Sequence, residues 1–173
     1  FVQERTACYA FALLSNHIHL LLRPGTTPLA GVMRRLLTGY AVSFNKRHKR
    51  SGHLFQNRYK SILCEEDPYL LELVRYIHLN PFRAGVVKSL EELENYSWCG
   101  HGILTGSQRN DWQEKDFVLG FLGSKGKKAV RAYQEFMEAG KGLGQRPELV
   151  GGGLIRSKGG WSQVLSLRNR GEK

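Results

Sequence analysis

Leu13-Leu14-Ser15-Asn16-His17-Ile18-His19-Leu20-Leu21-Leu22 is an apolar run that carries two histidines two residues apart. Side chains on a β-strand alternate between faces, so His17 and His19 project from one side, roughly 7 Å apart along the backbone, with Ile18 and Leu20 on the other. A single histidine in such a run is usually a hydrogen-bonded structural residue. Two on one face would need two separate sets of polar partners, and one shared cation is the simpler arrangement. Working outward, residues 7–14 read as a preceding strand joined through Ser15-Asn16 to a second strand over 17–22, which Pro24-Gly25 closes.

Beyond this hairpin, Thr27 is placed to cap a long helix with Pro28 at its first position. Leu29, Val32, Met33, Leu36, Leu37, Tyr40, Ala41 and Phe44 recur at three- and four-residue steps, giving one apolar face and one basic face. A third strand is expected over residues 59–64. Asp67-Pro68 repeats the cap-then-proline start and opens a helix running to Asn80. On that helix Tyr76 and Asn80 are four residues apart and share a face. Strands, helix, strand, helix is what remains of a split βαβ sandwich whose first strand and helix precede Phe1. The expected fold is therefore α+β, a ferredoxin-like antiparallel sheet with helices on one face.

Charge is distributed unevenly. The chain has 173 residues and a formal net charge of +11, and between residues 5 and 64 there are ten Lys or Arg and no Asp or Glu. Such a field favours a polyanionic partner, with phosphate contacts expected from Arg34, Arg35, Lys46, Arg47, Lys49, Arg50, Arg58 and Lys60. The plainer reading is a solvated basic face. Cys8, Cys64 and Cys99 are widely spaced and form no Cys-x-x-Cys pair, which argues against a disulfide framework or a zinc knuckle and fits a reducing cytoplasm. No stretch reaches the roughly 18 to 20 apolar residues that span a bilayer.

Further along, helices are expected over 116–122 and 127–139, with a Gly-rich basic remainder. The division drawn from these patterns is a catalytic domain over 1–105 and a basic, partly helical extension over 106–173.

Three segments in order carry a resemblance: Ser15-Asn16-His17-Ile18-His19-Leu20-Leu21, then Ser51-Gly52-His53-Leu54-Phe55-Gln56-Asn57-Arg58-Tyr59-Lys60, then Tyr76-Ile77-His78-Leu79-Asn80-Pro81-Phe82-Arg83-Ala84-Gly85-Val86. Together they resemble the single-tyrosine HUH transposases of the insertion-sequence-200-like family, most closely the REP-associated tyrosine transposase branch. The resemblance covers residues 7–105, and Asn57 stands where the family has glycine. It implies that His17 and His19 hold Mg²⁺ or Mn²⁺ with Asn80 as third ligand, and that Tyr76 is the nucleophile.

It further implies cleavage and rejoining of single-stranded DNA near hairpins through a 5′-phosphotyrosine, by a monomer or homodimer. Phe55 and Trp98 are expected to stack on unpaired bases. The competing expectation, from a different functional class, is a DNA-hairpin-binding protein that has lost catalysis. His48 and His53 read as backbone-contacting, and His78 as facing away from Tyr76. Glu65, Glu66 and Asp67 read as helix-capping residues.

Overall fold

The computed structural model describes residues 6–62, 70–123 and 125–143. Two strands, β1 (Ala7–Leu13) and β2 (Ile18–Arg23), pair antiparallel. All seven residues of β1 are Ala, Cys, Tyr, Phe or Leu, and its five central residues are buried. The register sets Ala12 opposite His19, Ala10 opposite Leu21 and Phe11 opposite Leu20, with an irregularity between Cys8 and Ala10 that leaves Tyr9 as the extra residue. Cross-strand partners share a face, so Ala10, Ala12, His19 and Leu21 lie together.

That face packs against α2 (Leu70–His78): Ala10 and Ala12 belong to the same buried cluster as Leu70, Val74 and Ile77. Alanine on the strand leaves room for the helix to sit close. On the opposite face Phe11 packs against Trp112, ring centroids 4.5 Å apart.

The outer edge of β1 is closed by segments distant in sequence. The Leu13 amide donates to the Trp98 carbonyl at 2.8 Å, and the Gly100 amide donates to the Phe11 carbonyl at 2.9 Å. The Glu114 amide donates to Cys8 at 2.8 Å, and the Gln113 side-chain amide to the Tyr9 carbonyl at 3.1 Å. Thus β1 has backbone partners on both sides. The third strand expected over 59–64 is not formed by residues 59–62, and the rest of it lies outside the described residues. Among the described residues the sheet has two strands, and the fold is α+β.

The long helix α1 (Leu29–Arg47) starts one residue later than the sequence suggests. Pro28 occupies the N-cap position with no side-chain cap, and the Pro28 carbonyl accepts from Gly31 at 2.8 Å. Its apolar stripe is fully buried only near the beginning: Val32 and Met33 are buried, Leu36, Leu37, Ala41 and Phe44 are half-buried, and Tyr40 is 56% exposed. Periodicity identifies which face is apolar; it does not supply a neighbour to cover it.

The helix expected to end at Asn80 is broken at Leu79. Pro81 has no amide hydrogen to return to Ile77, and a short α3 (Asn80–Arg83) follows, with the Arg83 amide donating to Leu79 at 2.9 Å. The Asp67-Pro68 start lies outside the described residues.

Among the described residues four further α-helices follow: α4 (Leu90–Asn95), α5 (His101–Thr105), α6 (Lys115–Gly120) and α7 (Lys127–Gly140). Of these, α6 and α7 were expected; α4 and α5 were not. The Ser89 hydroxyl accepts from the Glu92 amide at 3.2 Å, and the Glu92 carboxylate accepts from the Lys88 amide at 2.7 Å. This is close to a capping box, and Ser89-Leu90-Glu91-Glu92 was its sequence signal.

One core runs across residue 105. Tyr9 stacks on Phe117 at 4.6 Å, and Tyr133 and Met137 of α7 share a cluster with Val74 and Ile77 of α2. The buried Arg75 ties α2 to α7. Its guanidinium donates to Glu72 at 2.6 Å and to the Phe136 carbonyl at 3.3 Å, and lies 4.1 Å from the Phe136 ring centroid.

Deeper still, the Tyr133 hydroxyl bridges His78 Nδ1 at 2.7 Å and His101 Nδ1 at 2.9 Å. A hydroxyl has one proton, so it donates to one ring and accepts from the other, and the two neutral histidines hold opposite tautomers. Burial pushes the His78 pKa well below its ordinary value and the His101 pKa down to about 4. No helix among the described residues is long and apolar enough to cross a membrane.

Candidate active site

The alternation read from the sequence brings the two histidines together. The rings of His17, just ahead of β2, and His19, within it, have centroids 4.9 Å apart and are nearly perpendicular. His17 Nδ1 donates to the Asn16 side-chain oxygen at 2.6 Å, which leaves the lone pair on Nε2 available. Burial, and then the positive charge of His17, lower the His19 pKa to about 4. His19 is therefore a neutral imidazole at physiological pH, the form that ligates metals.

From α2, the ring of Tyr76 meets His19 with centroids 6.0 Å apart and an interplanar angle of 83°. Tyr76 is half-buried, and this burial raises its phenol pKa; the charge of Arg83 and a hydrogen bond with the Asn80 side chain oppose the rise. Asn80 also donates through Nδ2 to the Tyr76 carbonyl at 3.0 Å. Residues from a strand, a helix and the turn after its break thus converge on one locus: His17, His19, Tyr76 and Asn80. Among the described residues no group of three or more His, Cys, Asp or Glu side chains is clustered as a metal site. Asn80, whose side chain bonds to Tyr76, belongs to none of those residue types.

Arg83 is a further side chain at this site that the sequence pattern does not single out. Its guanidinium carbon lies 5.5 Å from the Tyr76 ring centroid, and Nη1 donates to the Tyr76 carbonyl at 3.5 Å. The proline-induced break at Pro81 is the signal that could have placed it, because α3 carries Asn80 and Arg83 back over the preceding turn. His78 points away from Tyr76 into the core, as expected.

Arg34, Arg35, Lys46 and Arg47 lie on α1, Lys49 and Arg50 in the turn after it, and Arg58 and Lys60 in the irregular segment beyond. All eight are exposed. Trp98 is 60% exposed beside the end of β1. Glu65, Glu66 and Asp67 lie outside the described residues.

Residues 3–80 match the family model described as Transposase IS200 like. That span contains the histidine pair, the basic helix α1, Tyr76 and Asn80. The match covers less than half of the chain and is a likeness to that family over this span. No curated protein and no solved structure matches the chain.

Proposed function

We propose that this chain is a transposase-type endonuclease of the REP-associated branch that cleaves and rejoins single-stranded DNA beside hairpins, with Tyr76 as nucleophile. The carrying observation is the ring contact between Tyr76 and His19, which sets a helix-borne phenol beside a strand-borne imidazole pair. The hairpin with α2 on its histidine face is the portion of a ferredoxin-like sandwich that such a site requires. A catalytic domain over 1–105 with an extension over 106–173 belongs to the same reading.

The donor set fits a divalent ion: a ring nitrogen from each of His17 and His19, and the amide oxygen of Asn80. When bound, Mg²⁺ or Mn²⁺ supplies positive charge that polarises the non-bridging oxygens of a phosphodiester. Tyr76 Oη forms a bond to phosphorus while the bond from phosphorus to the 3′-oxygen breaks. The phenolic proton passes to solvent, and the departing 3′-oxygen takes a proton from water. The 5′-phosphotyrosine conserves the ester, so an incoming 3′-hydroxyl reverses the step without another energy source. Arg83 and the Asn80 amide favour the phenolate against burial. The exposed cations of α1 and its following turn hold the DNA backbone, and Trp98 and Phe55 stack on unpaired bases.

The test is incubation of the full chain with a tailed single-stranded hairpin and Mn²⁺, read by denaturing gel and by mass spectrometry of the Tyr76 peptide. DNA attached to Tyr76 is expected. Tyr76→Phe should lose the adduct while hairpin affinity stays within about two-fold; cleavage by Tyr76→Phe at the wild-type rate overturns the proposal. The exposed cations of α1 and its following turn also suit a second reading, a catalytically inactive hairpin-binding protein. Salt-dependent binding without any adduct supports that reading instead.

A further inference from the structure

The second half of α1 and the turn that follows it build an exposed cluster of aromatic and cationic side chains. The Tyr40 ring lies 6.0 Å from Phe44 and 6.2 Å from Phe55, tilted by 38° and 44°. Phe44 continues the series to His48 at 4.2 Å, and the Arg50 guanidinium carbon lies 5.9 Å from the Phe44 centroid. Tyr40 is 56% exposed although it sits in the apolar stripe of its helix. The stripe predicts a buried ring, and nothing among the described residues buries it.

The turn holds cations beside these rings at a conformational cost. The Lys49 amide donates to the Lys46 carbonyl at 3.4 Å and the Arg50 amide to the Asn45 carbonyl at 2.9 Å, the two bonds of a Schellman helix end. The residue at the crossing point adopts a left-handed conformation that glycine accepts freely, yet here it is Lys49, with φ of 49°. The Asn45 side chain closes the turn by donating to the Gly52 carbonyl at 2.9 Å. A lysine kept at a glycine position adds charge where backbone preference argues against it.

We propose that this cluster is a docking platform for unpaired nucleotides of single-stranded DNA, the Tyr40 face stacking on a base while Lys46, Lys49 and Arg50 pair with flanking phosphates. The proposal rests on the DNA reading above and extends it to a binding surface of its own. An exposed aromatic face amid cations matches both halves of a nucleotide, base and phosphate. A second copy of the chain suits the face poorly, since it would bring the same positive field against this one. No Asp or Glu lies between residues 5 and 64 to relieve that repulsion.

The experiment is equilibrium binding of fluorescent oligothymidylate and of a matched duplex to the full chain, in EDTA so that strand cleavage plays no part. Tyr40 is exposed, so Tyr40→Leu should fold as wild type. It is expected to weaken oligothymidylate binding about 5- to 100-fold and leave duplex binding unchanged, whereas Tyr40→Phe retains wild-type affinity. Equal affinity of Tyr40→Leu and wild type for oligothymidylate overturns the platform and leaves the Tyr76 reading standing. A wild-type chain that does not bind oligothymidylate also overturns the platform, while the Tyr76 reading falls only if the hairpin substrate gives no adduct. Sedimentation of the chain alone covers the remaining occupant: a dimer that Tyr40→Leu dissociates shows that the face belongs to a second copy.

Discussion

His78 and Tyr133 join α2 to α7 through a 2.7 Å hydrogen bond in the fully buried interior, two residues from Tyr76. Tyr133→Phe removes the hydroxyl and strands two imidazole nitrogens at once, because His101 uses the same oxygen. The expected cost is about 1–3 kcal/mol of stability, measured by urea denaturation. A Tyr133→Phe protein as stable as wild type would show that water replaces the hydroxyl without penalty.

The same pair makes stability pH-dependent. His101 is depressed to about 4 and His78 lies well below its ordinary value, so the unfolded chain takes up protons near pH 6.5 that the folded chain refuses. Stability is therefore full above about pH 6.5 and falls as pH drops toward the folded values, by up to ~1.4 kcal/mol per pH unit for each histidine. Denaturation curves at pH 7, 6 and 5 check this. His101→Asn, which keeps an amide near Tyr133, should flatten the slope between them.

Lys49→Gly relieves the left-handed strain at the end of α1 and should stabilise the fold by about 1 kcal/mol. It also removes one cation, so single-stranded DNA binding should weaken and the slope of log affinity against log salt should shrink by about one contact. Opposite signs for stability and binding in one variant are the informative result. A variant improved in both would mean that Lys49 is only a poorly chosen turn residue.

At Gly100 a methyl group would lie 2.6 Å from both polar atoms of the Gln113 amide and 2.7 Å from His78 Nε2. Those groups are buried and cannot swing into solvent, so Gly100→Ala is expected to cost about 1–3 kcal/mol. Thermal melts read the loss directly. Gly120→Ala, with nothing within 4 Å of the added carbon, is the control and should change stability little.

Metal binding is testable without DNA. Titration with Mn²⁺ should broaden the imidazole NMR signals of His17 and His19 before those of the buried His78 and His101. His17→Ala combined with His19→Ala should abolish the selective broadening. Uniform broadening of all histidines would remove the metal assignment.

Much of the hairpin and of the site geometry was legible in the sequence. Alternation in the run around His17 and His19 is a local property, and so is the four-residue spacing of Tyr76 and Asn80; both survive folding because neither needs a distant partner to define a face. What closes the sheet was not legible. Trp98, Gly100, Gln113 and Glu114 bond to β1 through their own polar groups, without the alternating pattern that announces a strand. Of the third strand, residues 59–62 have a strand-like composition without forming one, because composition alone does not fix a pairing. Tyr40 illustrates the same gap on a helix, and Arg83 was hidden because its position depends on a break at Pro81 that periodicity cannot express.

The closure of β1 by residues 98–114 also sets an order of events during synthesis. At a translation rate of about 5–20 residues per second, the strand emerges roughly 5 to 20 s before the segments that complete its outer edge. Until then the face carrying His19 has no finished sheet behind it, and α7 with Tyr133 arrives later still. A nascent chain therefore holds the histidines and Tyr76 well before it holds them in place, so any strand-cutting capacity waits until α7 has emerged.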